Sequence, residues 1–199
     1  MTEDTYLTIS NESQGLYKEK GSKFLAFAYP VVSEEDIKAK LEALRKKYFD
    51  ARHHCYAWIL GKDQEKFRAN DDGEPNHSAG DPILGQIRSQ KLTNTLIVVV
   101  RYFGGTKLGV GGLIHAYKEA AADALQDNTI TTKIVQEPIK IHFDYLVMND
   151  VMRLVKDFQL EIIEQNFDNY CDMILSVRLK LKEEVLSKLQ KINQLEIRK

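Results

Sequence analysis

Long apolar runs, paired cysteines and an excess of charge of either sign are all missing from this sequence. Its unbroken apolar runs, among them Leu96 to Val100, reach at most six residues, far short of the ~20 residues that span a bilayer, so no membrane association is expected. Only two cysteines occur, Cys55 and Cys171, and their separation fits no zinc or redox spacing, which points to reduced thiols in a cytosolic protein. The opening segment MTEDTYLTIS is acidic where a signal peptide is basic and then apolar, so a cytoplasmic location is expected. With 28 Lys and Arg against 29 Asp and Glu, the formal net charge is -1, which excludes a histone-like basic coat. Any contact with nucleic acid has to come from a local patch.

What is present suffices for a core. A chain of 199 residues, 43% hydrophobic, hides about 70% of its unfolded surface when it folds as one unit, and its length allows one or two domains. Pattern, not charge, divides it: glycine is concentrated before Pro138. We expect two α+β domains, 1–136 and 137–199.

In the first domain, QGLYKEKGSKFLAFAYPV supplies strands, and SEEDIKAKLEALRKKYF starts a helix with Ser33 as N-cap and Asp36 three residues later. HCYAWIL and EKFRAND read as strands, Asp71 to Pro82 as a turn-rich loop, and PILGQIRSQ as a short helix. TLIVVVRYF is apolar on both pleat faces, which predicts a central, doubly buried strand. The helix GLIHAYKEAAADAL follows, with Leu113, Ile114, Tyr117, Ala120, Ala121, Ala124 and Leu125 as its expected apolar face. Beyond Glu137 the order is strand, helix, strand, strand, helix, short strand, the split βαβ order of a ferredoxin-like domain.

The densest chemical signal is RYFGGTKLGVGGLIHAY, residues 101–117, between a buried strand and a helix. Gly104, Gly105, Gly109, Gly111 and Gly112 allow close approach to the backbone, and a helix start offers unpaired amides and partial positive charge. With Arg101 at the strand end and Lys107 in the loop, the segment reads as an anion cradle for phosphate or carboxylate. The alternative is a tight strand-to-helix turn, with Arg101 paired to a carboxylate such as Asp71 or Asp72. Neither the P-loop nor the GxGxxG spacing fits, since Val110 follows Gly109 and Ile114 fills the third glycine position.

In ARHHCYAWILG, residues 51–61, alternation sends His53 and Cys55 to one face and His54 and Tyr56 to the other, which disfavours a shared metal. One histidine at a cleft mouth suits binding or proton transfer, and His54 is our candidate. Asp71, Asp72, Glu74, His77 and Asp81 form an acidic loop without EF-hand order, read as a solvated functional loop. No complete catalytic constellation is visible, so we expect a non-catalytic protein with no cofactor and no metal.

KGSKF (20–24), ARHHCYAW (51–58), DDGEP (71–75) with GDPIL (80–84), and VVVRYFGGTKLGVGGL (98–113) together resemble the motifs of the YigZ/IMPACT family, in its bacterial two-domain branch. The resemblance implies an N-terminal domain like the second domain of small-subunit ribosomal protein S five. It also implies a C-terminal ferredoxin-like domain similar to elongation factor G domain V. Such a pairing suggests a protein that contacts RNA or a ribosome-associated partner and regulates translation, here through the glycine-rich loop. Eukaryotic relatives regulate translation by binding the activator of a stress kinase through an added N-terminal domain that this sequence lacks, so that partner is not carried over. The competing expectation is an enzyme acting on a phosphorylated small molecule in the same cleft, with His53, His54 or the acidic loop supplying acid–base or metal help.

Overall fold

A computed structural model describes residues 4–198, which divide into two compact units, one of residues 6–133 and one of residues 4–5 with 134–198. The first unit is built on a five-stranded antiparallel sheet. Strand β6 (Thr95–Tyr102) is its centre, flanked by β3 (Ser22–Pro30) and β4 (His53–Leu60), with β2 (Ser13–Glu19) and β5 (Lys66–Asn70) outside them. Thr95 through Arg101 are all buried, as a doubly covered strand requires. A separate two-stranded ribbon pairs β1 (Thr5–Ile9) with β7 (Ile130–Ile134); neither strand was expected from sequence.

Alternation of side chains assigns the two faces of the sheet to different helices. Phe27, Tyr56, Trp58, Leu96, Val98 and Val100 pack with Ile37 and Leu44 of helix α1 (Glu34–Lys47). Ser33 caps this helix as expected, accepting from the Asp36 amide at 3.1 Å, while the Asp36 carboxylate accepts from the Val32 amide. On the other face, Phe24, Cys55, Ala57, Ile59, Ile97 and Val99 pack against α2 (Gly80–Ser89) and α3 (Gly109–Gln126). Alanines let α3 lie so close that a Cβ at Gly15 would come within 2.3 Å of the Ala124 amide nitrogen. The buried stripe of α3 runs through Leu113, Ala116, Tyr117, Ala120, Ala121, Ala124 and Leu125. Ile114 corrects the expected face: it lies beside that i, i+3, i+4 stripe and is exposed, and Ala116 takes its place.

In the second unit, β8 (Gln136–Phe143), α4 (Met148–Asp157), β9 (Glu161–Phe167), β10 (Cys171–Arg178), α5 (Lys182–Leu189) and β11 (Leu195–Arg198) follow one another in the expected order. The sheet is antiparallel with order β11-β8-β10-β9. Ile141, Phe143, Met173, Leu175 and Val177 pack with Val151 and Leu154 of α4 and Val185 and Leu189 of α5. Arg178 donates to the buried Asp4 carboxylate through Nε and Nη2, and the Asp4 carbonyl accepts from the Val135 amide at 2.7 Å. Among the described residues no helix is long and apolar enough to cross a membrane.

Candidate functional site

The end of β6 that carries Arg101 opens into a cavity of about 510 Å³ in the first unit. Its walls come from the start of β4 (Arg52, His53), from Glu74, from Arg101 and Phe103, and from Lys107 to Val110 at the entry to α3.

Register explains why Arg101 is inside. It sits directly across from Phe24 on one neighbouring strand and His53 on the other, on the pleat face covered by α2 and α3. A buried guanidinium needs a counter-charge, and Glu74 supplies it: Arg101 Nη1 donates to Glu74 Oε1 at 2.5 Å. The Tyr117 hydroxyl donates to the same oxygen at 2.9 Å. Cys55 Sγ lies 3.3 Å from the Tyr117 oxygen and 3.0 Å from the Asp71 carbonyl. Burial pushes both the Cys55 thiol and the Tyr117 phenol well above their ordinary pKa values. One donor is left over, since Arg101 Nε is buried without a partner among the described residues.

This corrects the reading of Arg101 as a free cation. It is neutralised internally, and by Glu74 rather than by Asp71 or Asp72. Asp71 accepts from the amides of His77, Ala79 and Gly80 at 2.8–3.0 Å, holding the start of α2. Asp72, at φ 43°, accepts from the His54 amide at 2.7 Å and pairs with Arg45. The loop expected to be solvated therefore spends three carboxylates on the protein itself, and Glu74 is buried. Among the described residues no three His, Cys, Asp or Glu side chains form a metal-holding group.

Lys107 is exposed, lines the cavity, and has no carboxylate within 4.0 Å among the described residues. Arg52, which the sequence reading did not single out, shares all three properties. Gly104 is where the loop touches the sheet: its amide donates to Ser22 Oγ at 3.1 Å, and a Cβ there would fall 1.9 Å from the Gly21 carbonyl carbon. Gly105 and Gly109 hold φ 89° and 72°, conformations that L side chains resist. Gly111 and Gly112 form the first turn of α3. No side chain caps that end and no acidic residue lies in its first turn, whereas α1 has both. The first-turn amides have no intrahelical partner, and a Cβ at Gly105, Gly109 or Gly111 would meet nothing within 4 Å.

His54 does not belong to this group. It lies on the α1 face of the sheet, buried, with Nε2 unpartnered among the described residues, and burial holds its pKa below the usual 6.5. His53 lines the cavity instead, because the alternation that separates the pair puts residue 53 on the α3 face. Its Nδ1 is 2.8 Å from the Asp72 carbonyl oxygen. A carbonyl only accepts, so Nδ1 carries the proton and Nε2 is a free acceptor when the ring is neutral. Of the flanking aromatics, Tyr102 donates its hydroxyl to Asp50 Oδ1 at 2.7 Å. Phe103 is 59% exposed on the cavity wall, 5.7 Å from the Arg101 guanidinium carbon.

Residues 20–125 match the family described as the Impact N-terminal domain. An IMPACT family member of Haemophilus influenzae is 33% identical over 172 residues, covering 85% of this chain and 84% of its own. The chain belongs to the IMPACT family. The Escherichia coli IMPACT family member YigZ is 33% identical over 153 residues, 76% of this chain and 75% of its own. A crystal structure described as that of a hypothetical protein superposes with TM-score 0.78 at 28% identity, covering 98% of this chain and 96% of that one. In this IMPACT family member every residue of the cavity wall falls inside the matched segment.

Proposed function

We propose that this protein is a non-catalytic binding module of the cytoplasm that contacts RNA or the translation machinery through the cavity at α3 and thereby regulates translation. In this reading the first unit is like the second domain of small-subunit ribosomal protein S five and the second, ferredoxin-like unit is similar to elongation factor G domain V. The observation that carries it is electrostatic. The cavity wall holds Arg52, Arg101 and Lys107 against one carboxylate, Glu74, which is already paired, and the uncapped start of α3 adds its dipole and free amides. Anions are attracted; acidic surfaces are repelled.

Fluorescence polarisation of a labelled single-stranded RNA tests the reading. Binding is expected to weaken steeply between about 50 and 200 mM salt, as counterion release requires. Lys107→Ala and Arg52→Ala are each expected to weaken it and to lower the salt slope by about 1. Absence of binding to RNA and to ribosomal particles at low salt overturns it.

A second reading, an enzyme acting on a phosphorylated small molecule, is favoured by one feature: the accepting Nε2 of His53 on the same cavity wall as Arg52 and Lys107. Turnover of phosphorylated metabolites that His53→Ala abolishes would establish it over the first.

A further inference from the structure

The cavity has features that a track for a nucleic-acid backbone does not need. A groove that follows a strand is lined by positive charge over several nucleotides. Here Arg52 and Lys107, which have no carboxylate partner among the described residues, and the amides at the start of α3 border one half-open cavity of about 510 Å³, in the range of small-ligand sites, about 300–1,000 Å³. Its floor is a polar side chain more than nine-tenths buried, Arg101, whose Nε has no partner among the described residues. At the rim stands Phe103, a large exposed aromatic.

We infer that this site is built for the terminal phosphomonoester of one nucleotide, with the phosphate at the start of α3 and the base against Phe103. The inference rests on the anion-binding reading above and narrows it. A terminal monoester approaches two negative charges at neutral pH, as a phosphorylated side chain does, whereas an internal diester carries one. The cations Arg52 and Lys107, an internally neutralised Arg101–Glu74 pair and an uncapped helix start together favour the end of a strand over its middle. Space for the phosphate comes from Gly109 on the cavity wall, since the direction a side chain would take there is empty. Phe103 then supplies what phosphate alone does not use: an exposed ring on which any base can stack, since every base has a π-face. His53 Nε2, a hydrogen-bond acceptor when neutral, suits a hydroxyl donor of the ribose.

The full chain is titrated with one oligoribonucleotide in three forms, carrying a 5′-phosphate, a 3′-phosphate or neither, and in parallel with adenosine 5′-monophosphate, adenosine and inorganic phosphate. At least one phosphorylated end is expected to bind about tenfold or more tightly than the unphosphorylated strand, and the two phosphorylated forms identify which end is read. Adenosine 5′-monophosphate is expected to exceed both adenosine and inorganic phosphate. Phe103→Leu, at a surface position that spares the fold, is expected to shrink the preference for adenosine 5′-monophosphate over inorganic phosphate to under threefold. Equal binding of all three strands overturns the inference while RNA contact through internal phosphates stands. A preference for phosphate over the nucleotide in the wild-type chain overturns the stacking half. Failure of every strand to bind removes this inference, and the reading beneath it falls with it only when ribosomal particles also fail to bind at low salt.

Discussion

Glu74 and Arg101 stand 27 residues apart in sequence and meet in a 2.5 Å ion pair, each more than nine-tenths buried. The pair ties a loop to the end of the central strand, and Tyr117 of α3 is bonded to the same carboxylate oxygen. Three elements of the first unit thus converge on one atom.

Removing one partner of such a pair leaves the other charged and desolvated. Glu74→Ala is expected to lower unfolding free energy by about 3–5 kcal/mol, whereas Tyr117→Phe, which deletes the hydroxyl's bond to Glu74 and its weaker contact with Cys55, is expected to cost about 1 kcal/mol. Urea unfolding followed by circular dichroism separates the two; a Glu74→Ala loss no larger than that of Tyr117→Phe would show that the pair contributes little.

The glycines of the loop are not equivalent. Gly104→Ala drives a Cβ to 1.9 Å from the backbone of Gly21 and is expected to destabilise the first unit by several kcal/mol or to displace the loop, on the scale of other severe steric changes, about 4 kcal/mol. Gly111→Ala adds a methyl into open space on a helix and is expected to raise stability by about 0.5–1 kcal/mol. Thermal unfolding of both variants checks the opposite signs.

Cys55 and Cys171 are both buried with thiols pushed above their ordinary pKa. Since the thiolate is the reactive form, neither is expected to react with a disulfide reagent at pH 8 within minutes in the native protein. Two equivalents are expected to react in denaturant. Fast labelling of the native chain would contradict the closed packing around Tyr117 or in the second unit.

His54 makes stability depend on pH. Its folded pKa is depressed by burial below 6.5, so the unfolded chain binds its proton first on acidification. The stabilisation is present above pH ~6.5 and is lost as pH falls through that value toward the folded pKa. Denaturation midpoints at pH 7.5 and 5.5 are expected to differ less in His54→Gln than in the wild type.

Local and periodic features were legible in the sequence. LIVVV announces a strand covered on both sides, Ser33 its helix, and the second unit its order of elements. Glu74 was not legible, because its partners lie 27 and 43 residues away and the local pattern, DDGEP, describes a turn. Burial follows only once Asp71 and Asp72 pin that loop through backbone amides. The two histidines show a subtler limit. Alternation separates His53 from His54, yet which of them faces the glycine loop depends on the side of the sheet that α3 covers, a long-range fact. Arg52 had no pattern at all; its place on the cavity wall follows from where β4 begins.

The tie between Asp4 and Arg178 means that the second unit is synthesised in two stages, its opening residues first and the remainder only after the whole of 6–133 has been translated. A fragment starting at residue 134 carries Arg178 without its carboxylate and Val135 without an acceptor for its amide. Cutting the gene at that junction therefore does not yield two intact halves, and a circular permutant that joins the last strand to Asp4 through a linker is the rearrangement that keeps this unit whole.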